Sequence, residues 1–204
     1  MAGSGTLLID DGDLPSLVVA ALVGRPAGLV LYHPRGSDPA AARRESAARW
    51  HAEALGVERI IVEPSAAAGD LAESCLLMRA AALGLASGCN RVAWPRQVGP
   101  DPLLVTQAAE RAGLIGALVQ VGCDPGAGER LIVDLPVVDL ADSQLADLAD
   151  ELGAPLKAFW PCDLGGDRPC ARCAGCRRWS AAFRDAGIPW PWAESAVLAP
   201  AASV

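Results

Sequence analysis

The sequence predicts an α/β fold, a doubly wound and mostly parallel sheet, followed by a small cysteine-rich unit. Three observations carry this. Short apolar runs alternate with segments of helical length along residues 6–153. Those runs are apolar throughout rather than alternating, the pattern of strands covered on both faces. Finally, four of the seven cysteines fall between positions 162 and 176.

Taken in order, "TLLI" (6–9) leads into a helix over Leu14–Val23, and "GLVLY" (28–32) into "DPAAARRESAARWHAEALG" (38–56). Asp38 before Pro39 reads as an N-cap with proline at the first helical position, and Gly56 as the stop. "RIIVE" (59–63) precedes a helix in "DLAESCLLMRAAALGLASG" (70–88), and "RVAWP" (91–95) precedes "PLLVTQAAERAG" (102–113). Between the latter two, "PRQVGPDP" is a rigid surface connection on the sheet's edge. "IGALVQVG" (115–122) and "RLIVDLPV" (130–137) read as further β-type runs, followed by the helix "DSQLADLADELG" (142–153). That helix takes Asp142 or Ser143 as its cap, Leu145, Leu148 and Leu152 as its buried stripe and Gly153 as its end. Only "AVLAPAASV" (196–204) reads as a frayed tail. The chain divides into an α/β domain over 1–157 and a knuckle, helix and tail over 158–204.

The 204 residues suffice for one sizeable core, and 52% of them are hydrophobic. Seventeen basic against 24 acidic residues give a net charge of −7, which offers nucleic acid or acidic membranes no general attraction. A small molecule or a protein is the expected partner. No apolar run is long enough to span a membrane, and the N-terminus lacks the basic start of an export signal, so a cytoplasmic protein is expected. Cys75, Cys89 and Cys123, set in apolar stretches, read as small buried hydrophobes.

The strongest chemical signal is "FWPCDLGGDRPCARCAGCRRW" (159–179). Cys162, Cys170, Cys173 and Cys176 have the spacing C-x7-C-x2-C-x2-C. Short-range thiolates, with Gly165, Gly166 and Pro169 turning the first one round, are what a tetrahedral zinc needs. An iron–sulfur cluster is the other metal such a set would hold. Arg168, Arg172, Arg177 and Arg178 lie around the cluster, placed to offset its negative charge.

The stretch 136–189 resembles the C-terminal third of the 7-cyano-7-deazaguanine synthase family, in the PP-loop ATP pyrophosphatase superfamily. Trp160 and Cys162 stand for its "TWSC" segment, Cys170, Arg172, Cys173 and Cys176 for its "C-G-R-C-x-x-C" knuckle, and Phe183 with "AGIPWP" for the next helix and its end. Upstream, "GLVLYHPRGSDPAAARRESAARWHAEALGVERIIVE" (28–63) is similar to the family's second strand, its "Y-G-Q-R-H" segment, and the helix and strand after it. The resemblance implies an adenine nucleotide alpha hydrolase-like, Rossmann-like fold and zinc. It also implies a ligase that uses ATP with Mg²⁺ to convert 7-carboxy-7-deazaguanine and ammonia to the nitrile, in queuosine biosynthesis. The family's tendency to assemble points to a homo-oligomer.

That chemistry needs a "SGGxDS" loop after the first strand, and here the chain departs. Asp10 and Asp11 stand where the first serine and glycine should be, and Leu14 and Pro15 replace the Asp and Ser. Gly12 alone keeps its type, and Ser16 lies just beyond. A solvated carboxylate a few ångströms from a phosphate repels it by about 1 kcal/mol per charge pair, and by about 4 kcal/mol at intermediate dielectric. Asp10, Asp11 and Asp13 could instead hold Mg²⁺, or form an N-cap cluster favoured by the helix dipole; the second reading is preferred. Glu73 and Ser74 replace an Arg-Asn pair and Ser143 a lysine. The deazaguanine-contacting "DCRPEF" is replaced within "RQVGPDPLLV", with Asp101 as a remnant.

The residues left to bind a cofactor or ligand are therefore Gly12 and Ser16, with Tyr32, His33 and Arg35 at the end of the second strand, the edge where such sheets bind ligands. His51 reads as a surface or packing residue, and Trp190 and Trp192 as a clamp for the tail. No catalytic residue is assigned. The favoured function is a zinc-holding, non-catalytic or altered relative that binds a deazapurine or a protein partner. The alternative is the active ligase. A knuckle that binds nucleic acid through its arginines is the third reading.

Overall fold

The computed structural model describes residues 5–24, 28–64, 69, 71–121 and 130–193. Five parallel strands, β1 (Gly5–Ile9), β2 (Leu29–Arg35), β3 (Arg59–Pro64), β4 (Cys89–Ala93) and β5 (Ile132–Asp134), form one sheet in the order β3-β2-β1-β4-β5. The helices are α1 (Leu14–Val23), α2 (Ala41–Leu55), α3 (Ala72–Ala86), α4 (Pro102–Val121), α5 (Asp142–Glu151) and α6 (Ala174–Asp185). Because the chain winds outward from β1 to β3 and then returns to β4, the strand order reverses beside β1. The C-terminal end of β1 is thus the crevice where this architecture binds ligands.

Two apolar layers sandwich the sheet. Leu8 and Leu31 turn to one face, against Leu14, Leu17 and Val18 of α1, Leu145 of α5 and Phe183 of α6. Leu7, Ile9, Val30 and Tyr32 turn to the other, against Leu77 of α3 and Ala108 and Ile115 of α4. Phe159 stacks on Phe183 at 6.0 Å, and Trp190 meets Phe183 edge-on at 5.4 Å. Trp192 meets Trp160 in the same way at 6.1 Å. Trp190 and Trp192 therefore pack on the core, while the tail they are expected to clamp lies, from residue 194 on, outside the described residues.

Several local expectations are corrected. "IGALVQV" is no strand, because α4 runs unbroken through Gly113 and Gly116 to Val121. An apolar run of that length satisfies either period, and only its packing on β4 and β5 decides. Helix α2 starts later than expected: Asp38 accepts the Ala40 N–H (2.9 Å) across a turn that precedes it. The cap of α5 is Ala141, whose N–H donates to the Gln144 side chain (2.9 Å). The buried face of α5 is Leu145, Ala146 and Ala149, with Leu152 38% exposed. The 95–102 connection leaves an interior strand, not an outer one. Cys89 is buried but Cys75 is exposed. Cys123 and the 196–204 tail lie outside the described residues.

Candidate functional site: a self-bonded first turn beside a four-cysteine knuckle

The turn after β1 is held by its own side chains. The Asp10 N–H continues the ladder to the Tyr32 carbonyl (2.8 Å), while its carboxylate, fully buried, accepts the Gly12 N–H (2.8 Å). The Asp11 N–H donates to Ser16 Oγ (3.0 Å), which in turn donates to Asp13 Oδ1 (2.6 Å). Asp13 caps α1 by accepting the Ser16 N–H (3.0 Å). Gly12 sits at φ 70°, and a Cβ there would strike the Arg44 backbone, so this turn requires glycine.

Behind the turn, His51 of α2 places Nδ1 3.0 and 3.1 Å from the two Asp10 oxygens, and both side chains are fully buried. Burial alone would lower the His51 pKa, but the Asp10 charge and hydrogen bond outweigh it, and the net shift is upward. His51 is thus a polar core partner rather than a surface or merely packed residue. Burial, then repulsion from Asp13 and Asp10, pushes Asp11 up to about 7. Burial raises Asp13 as well.

Two clefts of about 190 Å³ each meet over this turn, sharing Asp11, Glu73 and Leu76. Together they reach the lower range of small-molecule sites. One is bordered by His33, Pro34 and Arg44, the other by Trp94, Gln97 and Arg178. His33 is buried, its Nδ1 lies 2.7 Å from the Asp10 carbonyl, and Nε2 has no partner among the described residues. Burial lowers its pKa, which keeps the ring neutral.

Of the other residues assigned to ligand binding, Gly12 and Ser16 form the turn itself. Tyr32 packs into the apolar layer with Ile9 and Leu77, and Arg35 pairs with Glu45 at 2.7 Å. Arginines line the clefts but are matched: Arg44 with Asp38 (3.1 Å), Arg96 with Glu73 (3.0 Å), and Arg178 with Asp142 (2.7 Å). Arg111 also pairs with Glu73. Asp101 caps α4, accepting the Leu103 N–H (2.9 Å). Sequence reading missed Arg44 and Arg96 altogether, since each is an ordinary surface-type residue until the fold brings it to the crevice.

The four cysteines do converge. Their Sγ atoms all lie within 4.8 Å of one another, and they are the one such group of potential metal ligands among the described residues. Cys162 and Cys173 Sγ are 3.8 Å apart, close to the S···S separation of a tetrahedron with Zn–S bonds of about 2.3 Å. Backbone N–H groups of Leu164 and Cys170 point at Cys162 Sγ, and those of Asp163 and Cys176 at Cys173 Sγ, each at 3.4 Å. Such donors stabilise thiolate charge. Burial opposes ionisation of Cys170, but the Arg172 and Cys173 N–H groups outweigh it and bring the thiol down to about 6. The residues fit a thiolate-bound metal.

The arginines do not all serve that charge. Arg178 reaches Asp142 and Gln97 and stacks on Trp179 at 4.5 Å, and Arg177 donates to the Arg172 carbonyl. The knuckle and the turn are in direct contact: the Trp160 N–H donates to the Gly12 carbonyl (2.8 Å), and Gly165 packs so closely on Pro39 that a Cβ would clash.

A family model described as "Queuosine biosynthesis protein QueC" matches residues 113–187, from within α4 through the knuckle and past α6. The 7-cyano-7-deazaguanine synthase of Porphyromonas gingivalis is 27% identical over 215 residues, covering 91% of this chain and 95% of that one. The chain is thus similar to the 7-cyano-7-deazaguanine synthase family, over its C-terminal part in the family model and over most of its length in this relative. The synthases of Trichodesmium erythraeum and Nostoc sp. (strain PCC 7120) are 30% and 34% identical over 92 and 68 residues. Those matches span only 38% and 30% of the relatives' own lengths. In fold, the chain is similar to NMN synthetase from Francisella tularensis, with a TM-score of 0.53 at 14% identity over 96% of this chain and 82% of that one. No helix among the described residues is long and apolar enough to cross a membrane.

Proposed function

We propose that this chain holds zinc in its knuckle but no polyphosphate at its first turn, and that it acts by binding a deazapurine or a protein partner rather than by ligation. The observation that carries this reading is the fate of the turn's N–H groups. Those of Asp10, Asp11, Gly12 and Ser16 are all consumed within the chain, and an anion cradle needs them free. A phosphate that displaced these bonds would meet the Asp11 and Asp13 carboxylates and, beneath them, the buried Asp10.

Magnesium does not rescue the site in this reading. Asp10 is committed to His51 and Gly12, and Asp13 to Ser16. These are the bonds of an N-cap cluster, not of a converging ligand set. Nor do the arginines favour nucleic acid, since Arg178 is held by Asp142 and Gln97. Zinc at Cys162, Cys170, Cys173 and Cys176 supplies structure: it anchors the start of α6 and the Trp160 segment that bonds Gly12. Four free thiols and zinc suit a reducing compartment, the cytoplasm.

Calorimetric titration of Mg·ATP into the zinc-loaded protein tests this. No saturable heat is expected. Saturable binding, with release of pyrophosphate when 7-carboxy-7-deazaguanine and ammonia are added, would establish the active ligase instead.

A further inference from the structure

Where the two clefts over the first turn meet, the groups left without a partner are acceptors. The Asp10 carbonyl can only accept, so the His33 Nδ1 that lies 2.7 Å from it carries the ring proton. Burial keeps the ring neutral, and Nε2 is therefore a bare lone pair. It has no partner among the described residues, on a side chain that is only 2% exposed and borders the first cleft. Such an orphan is costly unless a donor reaches it. The second acceptor is the Asp11 carboxylate, which lines both clefts.

Charge points the same way. Each arginine at the clefts is matched, Arg44 with Asp38, Arg96 with Glu73 and Arg178 with Asp142, and Glu73 takes Arg111 as well. Asp10 is paired with His51. What is left over is Asp11 beside Asp13, and burial with their repulsion holds the Asp11 carboxyl up at about 7 in spite of Arg44. Leu76 lines both clefts and Trp94 the second, so apolar walls stand beside these acceptors. Apolar walls suit the faces of a planar cation, and acceptors suit its N–H edge.

We propose that the joined clefts bind a guanidinium or amidinium cation, its N–H fork on the Asp11 carboxylate and a further N–H on His33 Nε2. The inference rests on the reading that this turn refuses polyphosphate, since a bound phosphate would bring negative charge to the same carboxylate. A charged fork on a carboxylate is among the strongest of hydrogen-bonded pairs. A small guanidine and the arginine side chain of a partner both carry it. The cation must displace the Asp11 proton, so affinity rises with pH through about 7, by about tenfold from pH 6 to pH 8. The other groups facing Asp11 do not oppose this trend. Loss of a proton from Asp13 or His51, both shifted upward, adds negative charge in the same sense, while His33 stays neutral and Glu73 and the arginines remain in ion pairs.

Titration of agmatine and of Nα-acetylarginine amide into the zinc-loaded chain at pH 8 is the test, followed by NMR at the Trp94 indole and the His33 ring nitrogens, with Mg·ATP run beside them. Saturable binding at about a millimolar or tighter is expected. It should weaken about tenfold at pH 6, and at least as much in Asp11→Asn, a variant that stays folded because it removes a buried charge. The neutral isostere Nα-acetylcitrulline amide should bind at least about tenfold more weakly than the arginine. Either cation binding in this way supports the proposal: the capped arginine shows that a partner's side chain can enter, and agmatine alone confines the site to small molecules. Failure of both cations overturns it, as does binding that Asp11→Asn leaves unchanged or that the citrulline reproduces. Those results with Mg·ATP still excluded defeat this inference alone, whereas saturation by Mg·ATP defeats the reading of the turn on which it rests.

Discussion

The first turn and the cysteine knuckle are neighbours, joined by the Trp160–Gly12 hydrogen bond, yet they use their polar groups in opposite ways. In the turn, the Asp10 and Asp13 carboxylates and each N–H described above find a partner within the chain, Asp10 taking His51 and Gly12 and Asp13 taking Ser16, while the Asp11 carboxylate lines the clefts. In the knuckle, backbone N–H groups point at four sulfurs that converge on one another, an arrangement that gains most from a cation at its centre. The group that could hold a metal ion therefore lies in the knuckle. Abundance of charge does not make a site; charge left uncompensated by the fold does.

The largest expected effect lies on the knuckle side. Cys176→Ser, or removal of metal with a chelator, unseats the start of α6, and thermal melting should fall by ~10 °C or more, with zinc content followed in parallel. Because Trp160 links the two regions, the same treatment shifts the Gly12 amide signal in an NMR spectrum. A knuckle that loses metal with no change in melting or at Gly12 would mean that the two regions are not coupled.

Next comes the inner support of the turn. His51→Ala strips Asp10 of its buried partner and should cost about 3–5 kcal/mol in urea unfolding, the range for breaking one half of a buried pair. A loss below about 1 kcal/mol, the worth of an ordinary hydrogen bond, would mean that the pair contributes little to the turn.

Opposite pH responses separate the two regions further. Asp11 has a folded pKa of about 7 against an ordinary 3.8, so between those values the folded chain keeps a proton that the unfolded chain has lost. Its contribution to stability therefore falls as pH rises from about 4 to about 7. His51, shifted upward, adds to the same trend: its contribution is complete below its ordinary value and lost as pH climbs through the folded one. Zinc affinity runs the other way, because thiols must ionise to bind. Asp11→Asn should therefore match the parent near pH 4 and exceed it by about 1–2 kcal/mol at pH 8, read as the difference between two unfolding curves. Smallest is Ser16→Ala, which removes two hydrogen bonds of the turn and should cost about 1 kcal/mol. It should not create phosphate affinity, since the Gly12 N–H stays occupied.

How much of this was legible in the sequence depended on how local each signal is. Strands such as Leu29–Arg35, the end of α2 at Gly56 and the knuckle could be read because their cues lie within a few residues. Helix α4 was cut short because "IGALVQV" carries no period that separates a buried strand from a helix face. The Asp10–His51 pair was hidden because its partners are 41 residues apart, and nothing local distinguishes a polar core histidine from a surface one. Arg44 and Arg96 were invisible for the same reason, and Arg178 was read only as a neighbour of the cysteines, because the three come from distant segments.

Whether the turn refuses an anion is read most simply from the backbone amides of Asp11, Gly12 and Ser16, followed by NMR while pyrophosphate and magnesium are added to the zinc-loaded protein. If the turn's N–H groups are consumed within the chain, these three signals stay in place through millimolar ligand. Saturable shifts centred on Gly12 would show the turn opening to cradle an anion, and would contradict it.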